Sequence, residues 1–358
     1  MIRKKREKRQ PTIRDVAKAA DVSISSVTRF IDPRKRPELS PETQAKVEKA
    51  VLETGYLPNI FARKRRAKKK ATIGILTFPS SEIFRSRYHT EILTGVHEHA
   101  FRSAHELKFF ILREHHYDRI EEVLYEHGVD GLMILSWRCH PNVVELVEKS
   151  SGALPLVIFN DYKPGLKVNV LYTNVREGMK QAVFYLLRRG FKKIALLAGP
   201  RDVLIQSGTK TQKIVSFDAK EKFDGFLEAL KEKGISSRKE WIVECPSYNQ
   251  EESYQVIKEW LGKTDLPEAL VAMNDEIALD AWRVLKEFKL WPGEKMALVG
   301  FDDIEKGRLV SPSLTTIHQP LPQMGRDAVD ILLERVGDPM MEPIQKCYKT
   351  ELIVRQTA

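Results

Sequence analysis

The sequence predicts a small all-α N-terminal unit joined to an α/β body built from two doubly wound parallel sheets. Three observations carry that prediction. The first 70 residues hold short apolar patterns of helical period, whereas from Ala71 onward strand-like runs alternate with amphipathic stretches. Charge is segregated too. Residues 1–70 carry 21 Lys and Arg against 8 Asp and Glu, a net of +13, and the remainder carries 38 against 41, a net of −3. Finally, 358 residues are more than one core normally encloses, so two sheets fit the length.

The N-terminal unit opens on a capping box. Thr12 can accept from the free amides of a first helical turn, and Asp15, three residues on, can reach back. Ile13, Val16, Ala17 and Ala20 then form one apolar stripe. Asp21 and Val22 end that helix, and Ser23 suits the N-cap of a second. There Val27 and Phe30 turn inward, leaving Ile24, Ser25, Ser26 and Arg29 outward. Two short helices with a tight turn, small polar residues and an arginine outward have the helix-turn-helix geometry for a major groove. A plain surface helix pair is the competing reading.

A loop with Arg34, Lys35 and Arg36 follows, read either as added phosphate contacts or as a solvated charge run. A third helix starts at Ser40 and Pro41, with Ala45, Val47, Ala50 and Val51 as its packing positions and Gly55 as its end. Pro58 then pre-sets a short helix, Asn59-Ile60-Phe61-Ala62-Arg63-Lys64-Arg65-Arg66, too basic to persist alone and expected to order against phosphates. Positive charge at both ends of this unit, at 1–10 and at 63–70, is the footprint of a polyanion-binding module.

In the body, strand-like runs lie at 72–78, 108–112, 131–135, 156–159, 193–198, 269–272 and 296–300. Helical stretches lie at 90–104, 119–127, 177–189, 219–233, 250–261 and 276–288. Alternation of this kind argues for parallel sheets that bind ligands beyond the carboxyl ends of their strands.

Several classes are excluded. No apolar run approaches the ~20 residues of a membrane span, and the basic N-terminus lacks the apolar stretch of a secretory signal. Cys139, Cys245 and Cys347 are odd in number and far apart, which suits a reducing cytoplasm. His97-Glu98-His99 and His115-His116 are too closely spaced to share a metal on one helical face. Phosphate-cradling glycine loops, nucleophile elbows and dinucleotide fingerprints are absent. The expectation is therefore no catalytic residue, no metal and no cofactor. A sugar kinase with a basic tail and an exported solute-binding protein are the remote alternatives. The first lacks its glycine loop, and the second would carry an export signal and no helix-turn-helix.

The chain resembles the LacI/GalR family. The resemblance rests on Thr12-Ile13-Arg14-Asp15-Val16-Ala17 with Val22-Ser23, Val27 and Arg29; on Ser40-Pro41-Glu42-Thr43; and on Gly55-Tyr56-Leu57-Pro58-Asn59 with Ala62-Arg63. It returns at Asn274-Asp275-Glu276-Ile277-Ala278-Leu279, at Val299-Gly300-Phe301-Asp302-Asp303 and at Ser311-Pro312-Ser313-Leu314-Thr315-Thr316-Ile317-His318-Gln319-Pro320. It implies a two-lobed core like that of periplasmic binding proteins, with three crossovers and a small ligand in the cleft. On this reading 1–10 is a basic tail, 11–57 the helix-turn-helix domain, 58–70 the hinge and 71–358 the effector-binding and dimerisation core. The N-lobe would comprise about 71–161 and 321–344, the C-lobe about 162–320 and 345–358, with crossovers near Asp161, Gln319 and Pro343.

The DNA contacts follow from motif and resemblance together. Thr12 and Ser23 are expected to position phosphates, and Ile24, Ser25 and Arg29 to read bases, with Ser26 either a contact or a solvated residue. The hinge set is Tyr56, Asn59, Ala62, Arg63 and Arg65. Family members usually carry a leucine three residues after the alanine matching Ala62. Arg65 stands there instead, which predicts weaker kinking, or reading of a narrow A·T-rich groove. For the effector, the resemblance implies Asn274, Asp302 and Gln319, with Asn160 and Asp161 at the first crossover. Lys222 stands where the family usually has an arginine, three residues before the glycine matching Gly225. Phe78 and Trp137 end strands and are read either as ring-stacking residues or as core. The usual Asn-Pro-Phe-Phe pattern has become Ser81-Glu82-Ile83-Phe84.

The expected function is that of a cytoplasmic, ligand-responsive transcription regulator, a repressor of carbohydrate-utilisation genes. It would act as a homodimer on a pseudo-palindromic operator in double-stranded DNA, with a sugar or sugar derivative as effector and no membrane partner. A purine- or phosphocarrier-co-repressed regulator of the same family is the alternative. The sequence ends just after Leu352-Ile353-Val354 without apolar heptads, so no tetramer through a C-terminal coiled coil is expected.

Overall fold

The computed structural model describes residues 12–31, 35–54, 70–77, 82–111, 128–135, 155–160, 168–207, 210–248, 251–262, 265–338 and 341–358. Phe78, Trp137, Asp161, the hinge set from Tyr56 to Arg65 and the helix expected at 119–127 lie outside them.

The N-terminal unit consists of α1 (Ile13–Ala20), α2 (Ile24–Ile31) and α3 (Pro41–Thr54). Asp15 closes the start of α1 by accepting both the amide and the hydroxyl of Thr12, at 2.6 Å each. Ser23 Oγ accepts from Ser26 N at 3.0 Å and starts α2. Val16, Ala17, Ala20, Val27, Phe30, Val47 and Ala50 form one small core. Ala45, expected in that core, is exposed. Counting one turn back from Val47 reaches Thr43 and Gln44, which take the inward side, and Gln44 bonds the carbonyls of Arg36 and Leu39. Arg36 is exposed yet tied to the unit. Its Nε donates to the Phe30 carbonyl at 2.8 Å, and its guanidinium lies 4.3 Å over the Phe30 ring, holding the loop against α2.

The body contains two six-stranded sheets. In the first, β1 (Thr72–Thr77), β2 (Glu106–Ile111), β3 (Gly131–Ile134), β4 (Leu156–Phe159), β5 (Asn169–Thr173) and β13 (Gln345–Tyr348) run in the order β13-β5-β4-β3-β1-β2. The second contains β6 (Ile194–Ala198), β9 (Ile242–Glu244), β10 (Ala269–Ala272), β11 (Ala297–Asp302), β12 (Thr315–His318) and β14 (Glu351–Ile353). Its order is β14-β12-β11-β10-β6-β9. All pairings are parallel except that of β14 with β12, and the central strands are buried on both faces, as parallel sheets require. A separate hairpin joins β7 (Asp202–Ser207) to β8 (Lys210–Val215).

The body's described α-helices are α4 (Glu82–Arg85), α5 (Arg87–Arg102), α6 (Val175–Arg188), α7 (Phe217–Glu232), α8 (Tyr254–Leu261), α9 (Asp275–Glu287), α10 (Glu305–Leu309) and α11 (Leu321–Gly337). Helix α8 starts four residues later than its apolar pattern suggests. Glu251, with φ of 78°, makes a turn first, and its amide goes to the buried Asp280 carboxylate.

The chain crosses between sheets later than expected. β5 pairs with β4 in the first sheet, so the first passage follows Thr173 rather than Asp161. β13 also belongs to the first sheet, which moves the third passage from Pro343 to Lys349 and Thr350. The cause is burial: without β5, the apolar strand Leu156–Phe159 would be a bare edge. The second passage is at Gln319 and Pro320, between β12 and α11.

Candidate functional site

The outward face of α2 is built as its pattern requires. Val27 and Phe30 anchor the helix, and Ile24 is left 47% exposed beside exposed Ser25 and Arg29. Ser26 is half-buried and occupied with Ser23. Among the described residues Arg29 and Ser25 make no hydrogen bond or ion pair, and both side chains are exposed. Thr12 differs, because its amide and hydroxyl both point at Asp15. A phosphate reaching Thr12 would have to compete with that carboxylate.

A second site lies where the two sheets meet, at the carboxyl ends of their strands. Asp302 closes β11 with φ of 115° and is 6% exposed. Its Oδ1 accepts from Gln319 Nε2 at 2.7 Å. The other end of the Gln319 amide accepts from the Thr173 hydroxyl at the end of β5. Thr173 N donates to Asn160 Oδ1 at 3.1 Å, and the Asn160 amide donates to the Tyr88 hydroxyl on α5. One hydrogen-bonded series thus runs from the second sheet, through a crossover residue, to a helix of the first. Each member is at least half-buried, and each bond is strengthened by the low local dielectric.

Lys222 comes to the same place from α7. It is 4% exposed, bonds Asp218 Oδ2 at 3.0 Å, and sits 4.3 Å over the ring of fully buried Phe301. Burial, the largest influence, pushes the Asp302 carboxyl up to about 7, with Asp218 adding to the rise while Lys222 and the Gln319 bond oppose it. The result is a carboxyl poised between donor and acceptor forms beside a buried ammonium. Asp303, the next residue, goes the other way. Burial alone would raise it, but His318, Arg308 and Arg355 bond it and hold it well below the usual carboxylate range.

Behind this surface Asp275 is fully buried and accepts from Ile304 N at 2.9 Å and Thr316 Oγ1 at 2.6 Å. A Cβ at Gly300 would fall 2.1 Å from its Oδ1. It is a brace for the β11 rim, with its pKa raised by burial first and by Asp302 second.

The structure therefore brings together Asn160, Lys222, Asp302 and Gln319. Asn274 is placed on the same rim, but its side chain is committed. Oδ1 caps α9 through Ile277 N at 2.9 Å, and Nδ2 donates to the Tyr248 carbonyl at 2.9 Å. Sequence reading missed Tyr88 and Thr173, and placed the aromatic change at 81–84 instead, where Ile83 is buried and Phe84 is 62% exposed. A Tyr-His pair opening an amphipathic helix just beyond β1 is the signal that could have found Tyr88. The described residues contain no group of His, Cys, Asp and Glu arranged to hold a metal.

Comparison with known proteins agrees in extent with both halves. Residues 12–59 match the family model described as bacterial regulatory proteins, lacI family, and residues 183–358 match that of the periplasmic binding protein-like domain. The chain is 31% identical over 350 residues to the HTH-type transcriptional repressor PurR of Pasteurella multocida (strain Pm70), covering 97% of this chain and 98% of that one. It is also 31% identical over 349 residues to the PurR repressor of Vibrio vulnificus (strain CMCP6), with the same coverages. Among solved structures, the transcriptional regulator CelR–cellobiose complex superposes with a TM-score of 0.69 at 23% identity, over 97% of this chain and 100% of that one. The lac repressor dimer bound to operator and the anti-inducer ONPF gives 0.68 at 24% identity, over 98% and 99%.

Proposed function

The chain belongs to the lacI family of bacterial regulatory proteins, a DNA-binding regulator and not an enzyme, and from that premise we propose that it is a cytoplasmic repressor whose grip on its operator is set by a small ligand held between the lobes. The observation that carries this reading is the presence, in one chain, of an exposed face on α2 bearing Ile24, Ser25 and Arg29 and a buried polar series bridging both lobes. Two copies related by a two-fold axis would present two such faces to the half-sites of a pseudo-palindrome.

In this reading Arg29 takes guanine O6 and N7 bidentately, Ile24 offers apolar contact to a thymine methyl, and Ser25 and Ser26 bond base edges or phosphates. Ser23 and Thr12 lie at helix starts beside the backbone. Tyr56, Asn59, Ala62, Arg63 and Arg65 form the hinge that follows, with Arg65 drawn to a narrow minor groove rather than wedging bases apart.

The effector pocket is Asp302, Lys222, Gln319, Asn160 and Thr173, with Tyr88 on the first lobe and Asn274 behind; Phe78, Trp137 and Asp161 would complete it. Hydroxyls donate and accept, and a rim offering an amide, a carboxyl and an ammonium suits a sugar or sugar derivative. A ligand inserted among these groups must replace the Thr173–Gln319–Asp302 bonds, and so changes how the lobes are held. By linkage, operator and ligand then alter each other's affinity by one factor. A purine co-repressor is the second reading, favoured by relatives named PurR and by the Tyr88 ring beside the site. The experiment is a thermal-shift screen of the full chain over sugars, sugar phosphates and purines, because a ligand bound to the native state raises its apparent stability. Stabilisation by a sugar, lost in Asp302→Ala, supports the first reading. Stabilisation by purines alone supports the second, and by none of them contradicts both.

A further inference from the structure

The hairpin β7–β8 has no part in the series just described, and it forms a sheet of its own. Its strands pair with each other over six positions, from Asp202–Val215 to Ser207–Lys210, and join neither large sheet. Two-stranded hairpins are marginal in water unless something packs on them. This one carries the apolar run Val203-Leu204-Ile205 in one strand and Ile214-Val215 in the other, with Val203 opposite Ile214 in register.

Its base is tightly fixed. Tyr248 donates to the Pro200 carbonyl at 3.2 Å, and a Cβ at Gly199 would fall 2.1 Å from the Tyr248 ring. The Arg201 guanidinium lies 4.1 Å over Phe223 and pairs with Glu244. Ser216 N closes the base on the Arg201 carbonyl at 2.9 Å, and Ser216 Oγ caps α7. The hairpin therefore leaves the carboxyl end of β6, on the rim that carries Asn274, Asp302 and Gln319, and returns directly into the helix that carries Asp218 and Lys222.

Sheet order says what it faces. The two sheets have matching orders, and their second strands, β5 and β12, meet through Thr173 and Gln319. β6 is fifth in its sheet and β1 is fifth in the other, so the rim opposite the hairpin is the one leading from β1 into α4, where Phe84 is exposed. Six residues of strand reach about 20 Å, enough to span a ligand cleft.

We propose that the β7–β8 hairpin is a third wall of the effector site, a cover that closes from the second lobe over the bound ligand towards the β1–α4 rim. This rests on the cleft being the effector site. It makes ligand escape depend on a segment joined through Ser216 to Lys222, so that the cover selects ligands it can close upon.

The test places Ser207→Cys and Phe84→Cys together in full-length chain carrying Cys139→Ser and Cys347→Ser, and treats it with a short bis-maleimide. A bridge within one chain, identified by its linked peptides, is the expected result. A bridge between two chains would make the hairpin an exchange arm, and two unbridged adducts would mean that it points away; either overturns the proposal. A second variant, with 203–214 replaced by Asn-Gly to keep the Asp202–Val215 pair, is compared with the parent using D-ribose, cellobiose and guanine as probes. Whichever stabilises the parent should dissociate at least tenfold faster from the variant, and an unchanged rate would overturn the cover. If none of the three stabilises the parent, the effector-cleft reading loses its support while the cross-link still decides the hairpin's position.

Discussion

Asp302 shows how much of this protein's chemistry is decided by surroundings that no motif records. A carboxyl at a strand end is ordinary; one that is 6% exposed, bonded by Gln319 and near a buried lysine titrates near neutrality. The sign of its effect on stability follows. Because the folded-state pKa lies above the unfolded one, the native state holds the proton more tightly, and stability from this group is lost as pH rises from about 4 to about 7. Melting temperature should therefore fall across that window less steeply in Asp302→Asn than in the parent. Equal slopes would mean the carboxyl is not perturbed. On the DNA side, Arg29→Ala should weaken operator binding by about 1–3 kcal/mol, roughly 5–150-fold, and relax preference at one base pair, checked by anisotropy titration with substituted duplexes. Individual residues were legible in the sequence where a local pattern sets their direction, as with Ile24, Ser25 and Arg29. Lys222 and Asn274 were legible as positions but not as partners. The ring beneath Lys222 and the carbonyl beyond Asn274 come from distant segments.

At the scale of elements, the tightest joint is between α5 and α11. A Cβ at Gly325 would fall 2.1 Å from the Ile92 carbonyl, and one at Gly95 would fall 1.9 Å from the Pro322 carbonyl. These are backbone-to-backbone approaches with no flexible side chain to yield. Gly325→Val should cost about 1–3 kcal/mol or more in urea unfolding, whereas Gly337→Ala, which meets nothing within 4 Å, should stay within about 0.5 kcal/mol. Helices of this kind announce themselves by period, and the buried strands 156–159 and 269–272 by continuous apolar runs. What escaped was decided by pairing. β5 and β13 are short and mixed in character, and only their neighbours assign them to the first sheet, which is why the crossovers lie later than expected. The hairpin offered Gly208 between Val203-Leu204-Ile205 and Ile214-Val215, a turn signal masked by the larger βα rhythm.

For the whole molecule, the segregated charge and the alternating body already divide the chain into a cationic headpiece and an α/β body. The first 70 residues carry a net charge of +13, suited to a polyanion, and the remainder is near neutral. Operator affinity should accordingly fall by about 0.9 log units per log unit of salt for each phosphate neutralised. What composition could not reveal is the junction. The series Asp302–Gln319–Thr173–Asn160–Tyr88 joins residues up to 231 positions apart (Gln319 and Tyr88, 319 − 88), and it exists only because the second passage brings Gln319 against β5.

The central claim is that the ligand cleft and the DNA face are one thermodynamic system. It is tested most directly by titrating the full chain with its selected operator duplex, with and without saturating effector, and then titrating effector with and without operator. Affinities that change by the same factor in both directions, typically between about 5- and 150-fold, are the predicted result. An effector that binds tightly yet leaves operator affinity unchanged would contradict it.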